Sequence, residues 1–340
     1  MIPKKVILDC DPGSDDAIAM MLAMKSDAID LIGVTTVNGN RIVPKTTENA
    51  LRVVQFMKTS VPVYRGCEEP IICNEIPGRK PGLPRVTLND CHGDFLPLPE
   101  AEIRTEKEHA VFYLVKTLME SEGDIYVAAV GPLTNLAMAL RIEPKIAGKI
   151  KQLVIMGGGH CGANASPAAE FNFYADPEAA KIVMDSAIPK VILPLDATWR
   201  ACLSEEKCQE LAQLGTPEAK VAAALVQKRI DNLKVNDVSE HNYALRHQAG
   251  TVAGAMLYRY DNHMAPIHDA LAIAYLINEN VVTELADANV DIDIAGGLCD
   301  GRMVADFHNT KKCKAPVTAK VALNSDAGLF TDMLFAALGK

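Results

Sequence analysis

Along most of the chain, short β-branched or aliphatic runs alternate with longer stretches whose apolar positions recur every three or four residues. The short runs are a signal for buried strands, and the longer ones mark one face of a helix. Residues 6–8 predict a strand, and residues 15–24, with Ile18, Met21 and Leu22 in helical register, predict the helix behind it. The alternation continues with a strand over 31–37, a helix over 46–57 and a strand over 61–64. Helices are then expected over 109–119, 133–140 and 177–185, interleaved with strands over 125–130, 153–156 and 191–195. The C-terminal part reads as further β structure over 290–294, 303–306 and 317–323, closed by a helix.

Strands alternating with helices imply βαβ units, hence an α/β fold with a mostly parallel central sheet flanked by helices. Ligands in such sheets bind along the edge formed by the strand C-termini. Two segments interrupt the rhythm. Residues 67–104 are rich in Pro and Gly, and residues 204–266 are helical in places and carry Tyr243, Tyr258, Tyr260 and several histidines. Both are too long for simple connectors and read as lids over a site or as subunit contacts. The stretch around 229–259 is poor in acidic residues and reads the same way. No Gly/Ser-rich linker divides the chain, so residues 1–340 are expected to form a single domain.

Composition narrows the partners. The net charge of −9 and a pI near 5.4 argue against a nucleic-acid surface and give no support for binding to anionic membranes. The nine cysteines contain no C-x-x-C pair, which points to free thiols in a reducing compartment and away from structural zinc. No secretory signal is evident at the N-terminus, and no apolar run is long enough for a membrane span, so a cytoplasmic location is expected.

The densest chemistry lies in ILDCDPGSDDAIAM, which puts Asp9, Asp11, Asp15 and Asp16 into eight positions after the first strand. Four close carboxylates repel one another and resist desolvation. Helix capping by Ser14, with Asp15 and Asp16 at the positive end of the helix, accounts for part of the pattern. It leaves Asp9 and Asp11 unexplained. A hard divalent cation would neutralise the group, since Ca²⁺ takes about six to eight oxygen ligands. Aspartyl phosphotransfer of the haloacid-dehalogenase kind is a rival for D-x-D, but the short hydroxyl residue it requires is replaced by Gly13.

The run D-x-D-P-G-x-D-D resembles the inosine–uridine nucleoside hydrolase family. Further matches follow in order: VTTVNGN ending at Asn40, VGPLTNLA from Val130, VIMGGG to Gly159, GANASPAAEFN to Asn172, and IHDALAIAY with His268 and Asp269. The similarity runs from residue 4 to about 195 and resumes near 266. It implies the nucleoside hydrolase fold with its Rossmann-like core, and Ca²⁺-dependent hydrolysis of the N-glycosidic bond of ribonucleosides. By position, Asp11, Asp16 and Asp269 resemble the calcium carboxylates, with the Val130 carbonyl beside them. Asp15, Asn40, Asn164, Glu170 and Asn172 resemble the ribose-binding set, Asp269 also nears the sugar, and Met156 lines the pocket. Asp11 would take a proton from the attacking water, and His268 matches a histidine that some members use to protonate the leaving base.

Each satellite has a plainer reading. Asn40 could be a turn residue, Glu170 and Asn172 loop polars, and His268 an orienter of its metal-ligating neighbour. Asp176 before Pro177 reads as a helix N-cap and stays outside the site. His92 resembles a loop histidine of the family, though the glycine usual a few residues later is absent. Tyr260 stands where some pyrimidine-preferring members carry an active-site tyrosine, with core or lid packing as its alternative. Uridine and cytidine are therefore the expected substrates. The alternatives are inosine and other purine nucleosides, another ribosyl compound, or a non-catalytic ribose- and calcium-binding protein. The resemblance also implies a homodimer or homotetramer.

Overall fold

The first apolar run folds as β1 (Lys4–Cys10), in which Val6, Leu8 and Cys10 pack into one core cluster and Ile7 into another. The two clusters are the two faces of a sheet, because successive strand side chains point in opposite directions. The computed structural model describes residues 2–72, 92–235, 263–308 and 317–340. Strands β2 (Ile29–Thr36), β3 (Val63–Arg65), β4 (Ile125–Ala129), β5 (Ile150–Met156) and β6 (Lys190–Leu193) follow, each separated from the next by helix. A short antiparallel pair, β7 (Cys202–Ser204) and β8 (Met264–Pro266), lies outside the main sheet. Strands β9 (Val282–Ile292), β10 (Met303–Asp306) and β11 (Ala319–Ser325) complete the main sheet, whose nine strands run in the order β10-β9-β11-β6-β5-β4-β1-β2-β3. Every pairing from β11 to β3 is parallel, while β9 and β10 add an antiparallel edge. The chain is a single α/β domain with a mostly parallel central sheet flanked by helices, as the alternating pattern predicts.

One face of the sheet carries α1 (Ser14–Lys25) and α2 (Val43–Phe56), and the other carries α3 (Ala110–Glu120), α4 (Thr134–Ile142) and, after the short α5 (Phe171–Ala175), α6 (Pro177–Met184). The short α7 (Leu195–Thr198) follows β6. The expected insertion folds in its described part as α8 (Glu205–Gln213) and α9 (Pro217–Val235), both packed on the α1 face. Helices α10 (His268–Ile277) and α11 (Ala327–Leu338) close the same layer. No described helix is long and apolar enough to cross a membrane. All six described cysteines are free.

Differences from the expected elements have local causes. The strand expected to reach Leu195 stops at Leu193, because Pro194 cannot donate to the ladder and instead starts α7. The strand expected over 290–294 begins at Val282, its first half being an outer strand with polar, partly exposed positions. Helix α10 is buried from His268 through Leu276, so it has no polar face for periodicity to reveal.

Asp9 is explained by this architecture. It shares the Ile7 face, where Oδ1 accepts from Thr35 Oγ1 at 2.6 Å and Asn135 Nδ2 at 2.7 Å. Asn135 also donates to the Thr36 carbonyl at 3.0 Å, and its Oδ1 accepts from the Cys67 amide at 2.9 Å. The network ties β1, β2 and the chain after β3 to the first turn of α4. Burial pushes the Asp9 carboxyl up to about 6, against the pull of Asn135 and Thr35. Removing Asn135 would strip the buried carboxyl of one donor and leave two backbone groups short. Asn135→Ala is therefore expected to lower the unfolding free energy by about 3 kcal/mol, read as a shift of the urea midpoint at unchanged slope.

Candidate functional site

From β1 the chain moves outward through β2 to β3, then returns to the other side of β1 as β4. The strand order thus reverses between β1 and β4, and the crevice outside such a reversal is where open α/β sheets bind ligands. Asp11 leaves the end of β1, and Val130 the end of β4, with the Val130 amide bonded to the Asp9 carbonyl at 2.8 Å. Gly39 and Asn40 follow β2, and Met156 ends β5. One sheet edge therefore gathers four segments singled out in the sequence.

The Asp11 carboxylate is wedged among backbone. Oδ2 accepts the Asn40 amide at 2.6 Å, and Asn40 Nδ2 reaches the Asp11 carbonyl at 3.2 Å and Asp16 Oδ2 at 3.4 Å. A Cβ on Gly39 would lie 2.1 Å from Asp11 Oδ2, and one on Gly131 2.6 Å from Asp11 Oδ1. Glycine is required at both places by close approach.

Asp16 holds the turn from the opposite side, accepting the Asp11 amide at 3.1 Å through Oδ1 and the Gly13 amide at 2.9 Å through Oδ2. The expected Ser14 cap is corrected here. Gly13 is the N-cap, Asp16 satisfies the free amides from within the helix, and Ser14 meets His92 Nδ1 through its amide at 3.1 Å and its Oγ at 3.2 Å.

Among the described residues the tightest carboxylate group consists of Asp15, Asp16 and Asp269, whose ligand atoms lie within 4.8 Å of one another. Two packed helices make it. Asp15 and Asp16 sit in the first turn of α1 and Asp269 in that of α10, where helix dipoles favour negative charge. Asp11, bonded to Asp16 through its amide, adds a fourth carboxylate at the edge of the group, and all four are buried. Burial and mutual repulsion push Asp11 and Asp269 well above the carboxylate range and Asp16 up to about 6. Asp15 is the exception. Burial pushes it up, but Arg229, His92 and His268 together draw it down to about 2. Arg229 Nη1 lies 3.0 Å from Asp15 Oδ2, and His92 Nδ1 3.8 Å from Asp15 Oδ1. That buried Oδ1 accepts no hydrogen bond from the described residues. Four buried carboxylates, one with an oxygen that accepts no hydrogen bond from the described residues, form an all-oxygen donor set that fits a hard divalent cation.

A second group lies around α5. Asn172 Nδ2 donates to the Val130 carbonyl at 2.8 Å and the Met156 carbonyl at 3.0 Å, with Met156 Sδ at 3.4 Å. Glu170 is buried and caps α5, accepting the Asn172, Gly158 and Phe173 amides at 2.8, 2.8 and 3.2 Å. Burial outweighs those bonds and moves its carboxyl up to about 7. Asn164 stands exposed at the rim, its Oδ1 accepting the Phe171 amide at 2.8 Å. His268 is buried beside Asp269 with Nδ1 2.8 Å from Thr198 Oγ1. Asp176 caps α6, as expected, through Ala179 N at 3.0 Å. Tyr260 lies outside the described residues. Arg229 and Thr198 were not picked out by the sequence, because no local motif announces a partner that arrives from a distant helix.

A family model described as inosine-uridine preferring nucleoside hydrolase matches residues 6–332. A pyrimidine-specific ribonucleoside hydrolase RihB of Escherichia coli O157:H7 (strain EC4115 / EHEC) is 36% identical over 337 residues, covering 97% of this chain and 95% of that protein. Among solved structures, a plant nucleoside hydrolase, PpNRh1, superposes with a TM-score of 0.82 at 26% identity, covering 99% of both chains. A purine-preferring ribonucleoside hydrolase from Gardnerella vaginalis gives the same TM-score at 24% identity, over 99% of this chain and 98% of that one.

The raised carboxyls give the metal-free protein a signed pH dependence. Asp11, Asp16 and Asp269 hold protons more tightly folded than unfolded, as do Asp9 and Glu170. For Asp9 and Asp16 the stabilising protonation is complete below the ordinary value of 3.8 and is lost as pH rises through about 6. For Glu170 it is complete below 4.5 and lost through about 7, and Asp11 and Asp269 act in the same direction. The melting temperature of chelator-treated protein is expected to fall between pH 5 and 7.5, and millimolar divalent cation to restore most of it at pH 7.5. A melting temperature that rose over this window, or ignored the cation, would contradict the reading of the cluster.

Proposed function

The chain belongs to the inosine-uridine preferring nucleoside hydrolase family and is a ribonucleoside N-ribosylhydrolase, and from that premise we propose that it cleaves pyrimidine ribonucleosides, uridine and cytidine, with calcium as its metal. The pyrimidine preference is supported by the relative named pyrimidine-specific, which aligns with nearly the whole chain. Calcium is supported by the donor set, which offers oxygen alone.

Asp11, Asp16, Asp269 and the Val130 carbonyl would hold the ion, with Asp15 at its border toward the sugar. Bound there, the cation supplies the positive charge that the buried carboxylates lack and makes a neighbouring water more acidic. Asp11, fixed by Asn40 and backed by Gly39 and Gly131, takes the proton of the water that attacks the anomeric carbon. Asp15 receives the 2′-hydroxyl, and Asn40, Asn164, Glu170 and Asn172 orient the remaining hydroxyls, with Met156 against the ring. The carboxylates stabilise the oxocarbenium character that develops as the bond to the base stretches. His268 lies next to Asp269 and hydrogen-bonds the departing base, and His92 stands over the 2′ side beside Asp15. The segments 67–104 and 204–266, whose residues 73–91 and 236–262 lie outside the described residues, would serve as lids that shield the sugar from bulk water. The free thiols fit a cytoplasmic setting.

Steady-state assays on uridine, inosine and 2′-deoxyuridine test this reading. Uridine is expected to be the best of the three, and loss of the 2′-hydroxyl to lower kcat/KM at least about 10²-fold, because Asp15 would be left without its hydrogen bond. Asp11→Asn is expected to lower kcat by about 10²–10⁴-fold at unchanged melting temperature. Equal rates on uridine and its 2′-deoxy analogue would remove Asp15 from the sugar site, and a wild-type rate for Asp11→Asn would remove the base.

A further inference from the structure

Arg229 comes from α9, within the insertion that interrupts the βα alternation, and reaches into the acidic crevice. Its Nη1 stands 3.0 Å from Asp15 Oδ2, with the arginine side chain 12% exposed and the aspartate 8%. The helix is anchored without it. Lys25 pairs with Glu218 at 3.0 Å, Thr216 bonds the Leu338 carbonyl, and Ala222, Leu225, Val226 and Ile230 are buried against the α1 layer. Burying a guanidinium is costly, and its charge cannot be relieved by losing a proton.

We propose that Arg229 stabilises the departing base, donating a hydrogen bond to the base carbonyl next to the glycosidic nitrogen. The proposal rests on reading Asp15 as the acceptor for the 2′-hydroxyl. C2′ is bonded directly to the anomeric carbon, so the group that binds O2′ borders the base. A guanidinium held at 3.0 Å from that group is within reach of the base edge. In uridine the C2 carbonyl adjoins N1. When the C1′–N1 bond breaks, its electron pair goes to N1 and spreads onto that oxygen. A fixed N–H donor there gains strength as charge develops, which is what a rate effect requires. Arg229 gives up no proton. The proton of the attacking water goes to Asp11, and the base leaves as an anion that takes its proton from His268 or solvent. Asp15 thereby has two tasks, gripping the sugar through one oxygen and aiming Arg229 with the other.

Arg229→Met and Arg229→Lys are to be assayed in the full-length calcium-loaded protein against uridine and p-nitrophenyl β-D-ribofuranoside. The phenolate departs without assistance and carries no carbonyl beside the breaking bond. Arg229→Met is expected to lower kcat on uridine by about 10²-fold and on the phenyl riboside by less than about tenfold, with Arg229→Lys between wild type and Met on uridine. Parallel losses on both substrates would overturn the proposal and make Arg229 a positioning residue for Asp15. Wild-type turnover of uridine by Arg229→Met would also overturn it. A melting curve excludes unfolding of Arg229→Met, and Arg229→Lys repeats the comparison with charge retained. The underlying reading fails separately, and takes this proposal with it, if the wild-type protein cleaves neither substrate.

Discussion

Mutual repulsion among four carboxylates held out of water at one sheet edge sets the terms for the rest of the molecule. Asp11, Asp15, Asp16 and Asp269 are each at most 6% exposed, and their charge must be met by backbone amides, helix dipoles or cations. The fold provides the first two. The amides of Asp11, Gly13 and Asn40 turn inward, and the first turns of α1 and α10 converge. Arg229 and His92 meet Asp15, and His92 also draws on Asp16. The balance left on the other three is the physical case for a bound cation, and it makes the reactive edge the strained part of a well-packed domain.

The strand order fixes where that edge lies. Because β1 has β2 on one side and β4 on the other, the segments after all three strands border one crevice, and β5 brings Met156 alongside. The side of β1 facing α4 is used differently. Asp9, one residue off the reactive face, is absorbed into a structural network with Thr35 and Asn135. Strand alternation alone would put two aspartates two positions apart on one face; they serve different ends because β1 ends at Cys10 and the turn that follows redirects Asp11.

Much of this was legible in the sequence. The alternation of runs gave the parallel sheet, and D-x-D-P-G-x-D-D with the later motifs pointed to the crevice and to most of its residues. The capping role of Asp176 followed from its place before Pro177. Other features were hidden for physical reasons. Helices α1 and α10 are buried almost all round, so periodicity marks them faintly. The N-cap fell to Gly13 because Asp16 already supplies the acceptor that Ser14 would have offered. That Asp15 joins Asp16 and Asp269 in the tightest group depends on how α1 packs against α10, which no local pattern encodes. Arg229 arrives from 214 positions along the chain from Asp15, and only tertiary structure brings such partners together.

The claim on which all of this turns is that the cluster is a single high-charge cation site. Isothermal titration of Ca²⁺ into chelator-stripped protein at pH 7.5 addresses it directly. The account predicts one ion per chain, with the binding heat lost in Asp269→Asn, whose carboxylate comes from the far helix. Absence of a saturable site, or an affinity indifferent to Asp269, would contradict it.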